Sequence, residues 1–128
     1  MAKSWTFKNY LEPNGQNPVH TWLDSLPKRA KARINVTIGM LEAMDRLEMP
    51  YARALKYDCA GLIELRIPCG NVQYRPLSCY GPGPRDVTIL FGAIEKGSKF
   101  VPASACSTAL TRKTHITTKG RTCDHKSN

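Results

Sequence analysis

The alternation of apolar and polar residues divides the chain into short strands and two well-marked helices. Trp5 and Phe7 alternate with Thr6 and Lys8, the period-two pattern of a strand with one buried face. Glu12-Pro13-Asn14-Gly15 ends it as a turn, since proline presets φ and glycine accepts backbone angles closed to other residues. Pro18 suits the first turn of a helix whose apolar side carries Val19, Trp22, Leu23 and Leu26. Pro27 stops that helix and opens a second. There Ala30, Ile34, Ile38 and Leu41 recur at steps of three and four, and the pattern fades by Leu47.

Met49-Pro50 breaks the second helix, and a mixed segment runs on to Gly61. Ile63, Leu65 and Ile67 then share one face of a strand, with Leu62, Glu64 and Arg66 on the other. Pro68-Cys69-Gly70-Asn71 is a tight turn, after which Val72 to Leu77 returns as an antiparallel partner with Gln73 and Arg75 on one face. Val87 to Ile94 is the most apolar strand and so the central one. Pro102 opens a short last helix to about Lys113, with Ala105, Ala109 and Leu110 inward. The polar residues 114–128 read as a flexible tail, which leaves residues 1–113 as one domain. The expected fold is α+β: a small, mostly antiparallel sheet of about four strands, two N-terminal helices and a short C-terminal helix, all helices on one side of the sheet.

Composition agrees with one hydrophobic core. The chain has 128 residues and an apolar fraction of 41%, which excludes disorder throughout. Its 19 lysines and arginines outnumber 10 acids, for a net charge of +9, more than solubility requires. Residues 117–128 hold three of the cations and one of the acids, so +7 belongs to the rest of the chain. A polyanionic partner is the expectation. No stretch approaches the ~20 apolar residues of a spanning helix, and Met1 to Trp5 shows no apolar signal region, so a cytoplasmic protein without a membrane partner is expected. Five cysteines without a C-x-x-C pair and three scattered histidines suggest reduced structural thiols and no metal site.

Candidate chemistry follows from the hairpin and the central strand. Arg66 and Arg75 lie on adjoining strands, and Glu95, Lys96 and Lys99 follow the central strand. Antiparallel pairing can gather these with Glu64 into one group of cations and carboxylates, or leave them as surface ion pairs. Lys28, Arg29 and Lys31 crowd the start of the second helix, where cations oppose the helix dipole. They are either a solvated face or phosphate contacts. Lys56 and Lys99 are further candidates for an RNA backbone.

Gly61-Leu62-Ile63-Glu64-Leu65-Arg66, then Tyr74-Arg75, then Ile89-Leu90-Phe91-Gly92-Ala93-Ile94-Glu95-Lys96-Gly97-Ser98-Lys99, with Pro102 and Ala109, resembles the RelE/ParE toxin superfamily, in its HigB-like, phage-derived branch. The resemblance implies a RelE-like fold and the toxin of a type II toxin–antitoxin system. Such a toxin is an mRNA endonuclease, in some members acting on the ribosome, that needs no cofactor and is neutralised by a helix-turn-helix antitoxin. The family's phosphate-contacting arginine falls on Arg75. Of its basic pair after the central strand only Lys96 carries over, because Glu95 occupies the other position. Cleavage by a 2′-hydroxyl needs a base and cations for the charge that builds on phosphorus. The assignment is therefore Arg75 and Lys96 as charge stabilisers, Arg66 in support, and Glu64 or Glu95 as base. The resemblance also permits a ParE-type gyrase poison, and the sequence permits a non-enzymatic module that binds nucleic acid or an antitoxin.

Overall fold

The computed structural model describes residues 3–126. In chain order the elements are β1 (Thr6–Tyr10), α1 (Pro18–Asp24), α2 (Lys28–Glu42), β2 (Ala52–Ala54), a 3-10 turn (Tyr57–Cys59), β3 (Ile63–Leu65), β4 (Ile67–Cys69), β5 (Val72–Tyr80), β6 (Asp86–Lys96), β7 (Lys99–Val101), α3 (Ala105–Lys119) and β8 (Thr122–Asp124). α1 starts where the Asn17 side chain accepts the His20 N–H at 3.0 Å and Pro18 fills the first helical position. α3 stops at Gly120, whose φ of 64° is the left-handed conformation that ends helices.

The sheet has eight strands, with the main order β2-β3-β5-β6-β1-β8; β4 pairs with β5, and β7 with β6. β1 runs parallel to β6, from Thr6 opposite Asp86 to Asn9 opposite Ile89, while every other pairing is antiparallel. The expected sheet of about four mostly antiparallel strands with all helices to one side is therefore wrong. β2, β3, β4, β7 and β8 have three residues each, too few for an alternation to register. Helices also cover both faces. α1 and α2 pack Val19, Leu23, Ile34, Ile38 and Leu41 against Phe7, Ile63, Leu65, Ile67, Val87 and Ile89. On the other face α3 packs Ala105, Ala109 and Ile116 against Tyr10, Leu62, Leu77, Leu90 and Ala93.

A bulge in β6 sets which side chains reach the α3 face. Leu77 of β5 faces Phe91, and the next residue, Ser78, faces Ile89, so Leu90 is the extra residue. Val87 and Ile89 point to α1 and α2, whereas Leu90, Phe91 and Ala93 point to α3. Two successive residues on one face reverse the parity of everything beyond, and that brings Glu95 onto the α3 side. The Arg112 guanidinium of α3 donates to the Leu90 carbonyl at 2.8 Å and pairs with Glu12 at 3.3 Å, so a charged side chain caps the irregularity.

The polar stretch expected to be a loose tail is ordered structure where it is described. Residues 114–119 continue α3, and Thr122–Asp124 pair with Lys8–Tyr10 of β1. Residues 127–128 of that segment, and residues 1–2 at the other end, lie outside the described residues. The His125 N–H donates to the Phe7 carbonyl at 2.9 Å. Its ring lies between the Asn9 Oδ1 (3.0 Å from Nδ1) and the Asn35 Oδ1 (2.8 Å from Nε2). A neutral imidazole donates only one of these bonds, so the second contact requires an amide NH2 turned toward the ring. Burial, reinforced by His20, pushes the His125 pKa down to about 4.

Two expectations follow. A Cβ on Gly92 would lie 1.9 Å from the Trp22 ring, so Gly92→Ala must displace the tryptophan that seats α1 on β6. The substitution should lower unfolding free energy by about 1–3 kcal/mol in urea titrations. For His125, the folded-state pKa of about 4 lies below the ordinary 6.5. Its contribution is full above pH 6.5 and is lost as pH falls toward 4, because the unfolded chain takes up a proton that the folded one refuses. The loss should approach about 2 kcal/mol, allowing for the exposed part of the ring, and should vanish in His125→Asn.

Candidate functional site

On the α3 face, beyond the end of the helix-covered core, the sheet carries a charged cluster. β3 supplies Glu64, which alternates with the core residues Ile63 and Leu65 and therefore points the other way. β2 places Arg53 directly opposite Glu64. β5 supplies Arg75, two residues from Leu77 on the same face, and Leu77 pairs with Glu64. The β6 bulge delivers Glu95, opposite Gln73. Arg66 sits between β3 and β4, its N–H bonded to the Tyr51 carbonyl at 2.8 Å.

Glu64 has no exposed surface, yet three guanidinium groups surround it. Arg66 bonds to its Oε2, Arg53 Nε lies 3.0 Å from the same oxygen, and Arg75 Nε lies 3.7 Å from Oε1. That Oε1 has no hydrogen bond. Arg75 is itself committed: Nε donates to Glu95 Oε1 at 2.9 Å, one terminal nitrogen to the Tyr74 carbonyl at 3.1 Å and the other to Gln73 Oε1 at 3.3 Å. A buried carboxylate loses several kcal/mol of hydration, and only this ring of cations offsets that loss.

A cavity of about 560 Å³ opens beside the cluster. Glu64 and Glu95 form part of its wall, Arg53, Lys56 and Lys99 bring cations to it, and Leu55, Tyr57 and Phe100 make an apolar side. The Arg53 side chain is 51% exposed, against 4% for Arg75, so the cations with free reach are not the ones at the centre of the cluster. A disulfide between Cys59 and Cys106 ties the 3-10 turn at the cavity wall to the start of α3. The expectation of five reduced thiols fails for this pair, because its members are 47 residues apart and meet only when α3 packs on the turn. Cys69, Cys79 and Cys123 are free, and burial pushes the Cys79 thiol up to about 11.

The structure gathers only part of the expected site. Glu64, Arg66, Arg75 and Glu95 meet, and Lys56 and Lys99 stand at the cavity beside them. Lys96 pairs with Lys99 across the β6–β7 turn, but it alternates with Glu95 and is not among the cavity-lining residues. Arg75 and Arg66 do not line the cavity either; they stand behind Glu64 and Glu95. Lys28, Arg29 and Lys31 belong to α2, over the opposite face, and Lys31 is paired with Asp24 at 2.5 Å. Arg53 and Tyr57 escaped notice because the strand and the turn that present them are three residues long. Among the described residues no group of three or more His, Cys, Asp and Glu side chains is placed to hold a metal ion, and no helix is long and apolar enough to cross a membrane.

Replacing the buried carboxylate tests the energetics of the cluster. Glu64→Gln leaves three guanidinium groups facing a neutral amide, and should cost about 3–5 kcal/mol in chemical denaturation. Arg53→Ala, at the exposed edge, should cost about 1 kcal/mol or less.

Neither a curated protein nor a solved structure matches the chain. Residues 21–114, well over half of its length and spanning every element from within α1 to within α3, match the family described as phage derived protein Gp49-like (DUF891). The chain belongs to that family of Gp49-like phage-derived proteins.

Proposed function

We propose that the cavity beside Glu64 and Glu95 is the RNA-cleaving centre of a toxin of the HigB-like type, acting on mRNA in the cytoplasm without a metal ion. Membership of a phage-derived family supports a toxin-like module, and the resemblance to RelE/ParE toxins supplies the reaction. The observation that carries the reading is the cavity itself. Lys56, Lys99 and the half-exposed Arg53 stand beside carboxylates that guanidinium groups already neutralise. Such a wall attracts a phosphate diester, whereas it has no uncompensated acids to offer a divalent cation.

The chemistry assigns roles by access. In the cleavage step the RNA 2′-oxygen bonds to phosphorus as the bond from phosphorus to the 5′-oxygen breaks. Glu95, whose side chain is 26% exposed, is placed to accept the 2′-hydroxyl proton. Glu64 is sealed from solvent, so its role is to fix Arg66 and Arg75. Arg53, Lys56 and Lys99 stabilise the charge that accumulates on the phosphate oxygens. The leaving 5′-oxygen takes its proton from the Lys56 or Lys99 ammonium, which solvent then reprotonates. Arg75 acts here by holding Glu95, a change from the direct phosphate contact that the resemblance implies. The partner that silences the toxin is a helix-turn-helix antitoxin, as that resemblance also implies.

Brief induction of the chain in bacteria, followed by primer-extension mapping of mRNA, tests this. New 5′ ends should appear with the parent protein. Their rate of formation should fall on the order of 100-fold in Lys99→Ala and in Glu95→Gln. Growth arrest with gyrase-linked DNA breaks and no new RNA ends would overturn the ribonuclease in favour of a gyrase poison.

A further inference from the structure

Tyr57 has an exposure that packing does not explain. The residue is 92% exposed, more than any other large apolar residue among the described residues, although it forms part of the cavity wall. Tyr10, Tyr74 and Tyr80 each have an aromatic neighbour, and Tyr57 has none among the described residues. Its φ of 58° lies in the left-handed region that side chains other than asparagine, aspartate and glycine rarely occupy. The surrounding turn holds it there. The Cys59 N–H donates to the Lys56 carbonyl at 3.1 Å, the Ala60 N–H to the Tyr57 carbonyl at 3.0 Å, and Cys59 is anchored to α3 by the disulfide. An unfavourable backbone angle that its surroundings enforce, presenting an aromatic ring to solvent, is a feature of binding surfaces.

The neighbours of the ring say what it binds. Leu55 and Phe100 line the same cavity, as do Lys56 and Lys99. An exposed aromatic ring on a cavity that two lysines also line fits a ligand with a flat aromatic part joined to an anion, the makeup of a nucleotide. A base is free to stack on a side chain only when its strand is single, because in a duplex both of its faces are covered. We propose that Tyr57 is the stacking platform for an unpaired base of single-stranded RNA, with Lys56 and Lys99 on the adjoining phosphate. This rests on the reading of the cavity as an RNA site and deepens it: Tyr57 positions the strand, and the carboxylate and cations act on the phosphate beside it. Because the turn is already fixed, little freedom is lost on binding.

The test measures binding of the full chain to a short fluorescent single-stranded RNA by anisotropy. The strand carries 2′-O-methyl groups, which block attack by the 2′-oxygen, so binding is read without cleavage. Tyr57→Asn removes the ring and keeps a residue suited to the left-handed backbone. It should weaken binding roughly 5- to 100-fold, while Tyr57→Phe and Tyr57→Trp retain it. A matched strand without bases should bind the parent and Tyr57→Asn equally. Equal binding of the base-bearing strand by parent and Tyr57→Asn, with Lys99→Ala still weakened, would overturn the platform and leave the RNA site standing. Failure of the parent to bind the strand at all would remove both.

Discussion

A carboxylate with no solvent contact, held among three guanidinium groups, is the constraint around which this molecule is arranged. Glu64 sits on a three-residue strand between β2 and β5, and a carboxylate is rarely buried so fully unless it is paired. Its burial commits Arg66 and Arg75 to fixed positions, and through Arg75 it also sets Glu95. The interaction adds little net stability relative to an apolar replacement of the same shape. What it supplies is placement: Glu64, Arg75 and Glu95 from three strands, and Arg66 from the link between β3 and β4, are held together.

That arrangement depends on the extra residue in β6. An unbroken alternation from Val87 would carry Glu95 to the face covered by α1 and α2, away from Arg75. The bulge at Leu90 reverses the parity, and Arg112 of α3 occupies the carbonyl left at that point. The helix that closes the second core thus also stabilises the irregularity that shapes the site. The Cys59–Cys106 disulfide and the Lys113 ammonium, which bonds the Gly61 carbonyl at 2.9 Å, tie the same helix to the segment before β3. α3 is therefore tied to the cavity wall at Cys59.

Burial divides the charged residues into two kinds. Arg75 and Glu64 are interior groups, Arg75 bonded to Glu95, Gln73 and the Tyr74 carbonyl and Glu64 to Arg66, while Arg53, Lys56 and Lys99 stand at the cavity. The basic residues of α2 are a separate feature, on the other face of the sheet from the cavity.

Much of the framework was legible from residue order alone. The boundaries of α1 and α2 follow from Pro18, Pro27 and a regular three- and four-residue apolar period, and β5 and β6 are long enough for their alternation to show. The common face of Gln73 and Arg75, and the position of Glu64 opposite the Ile63–Leu65 core face, came from the same rule. Tertiary contact decided the rest, because local pattern carries no information about it. The parallel pairing of β1 with β6 joins segments about 80 residues apart in sequence, an association that only packing creates. α3 chose the opposite face from α1 and α2, strands of three residues exist only through their neighbours, and Arg53 became a site residue through one of them. The sign and number of the charges were written in the chain; which of them are sealed and which are open was settled by burial.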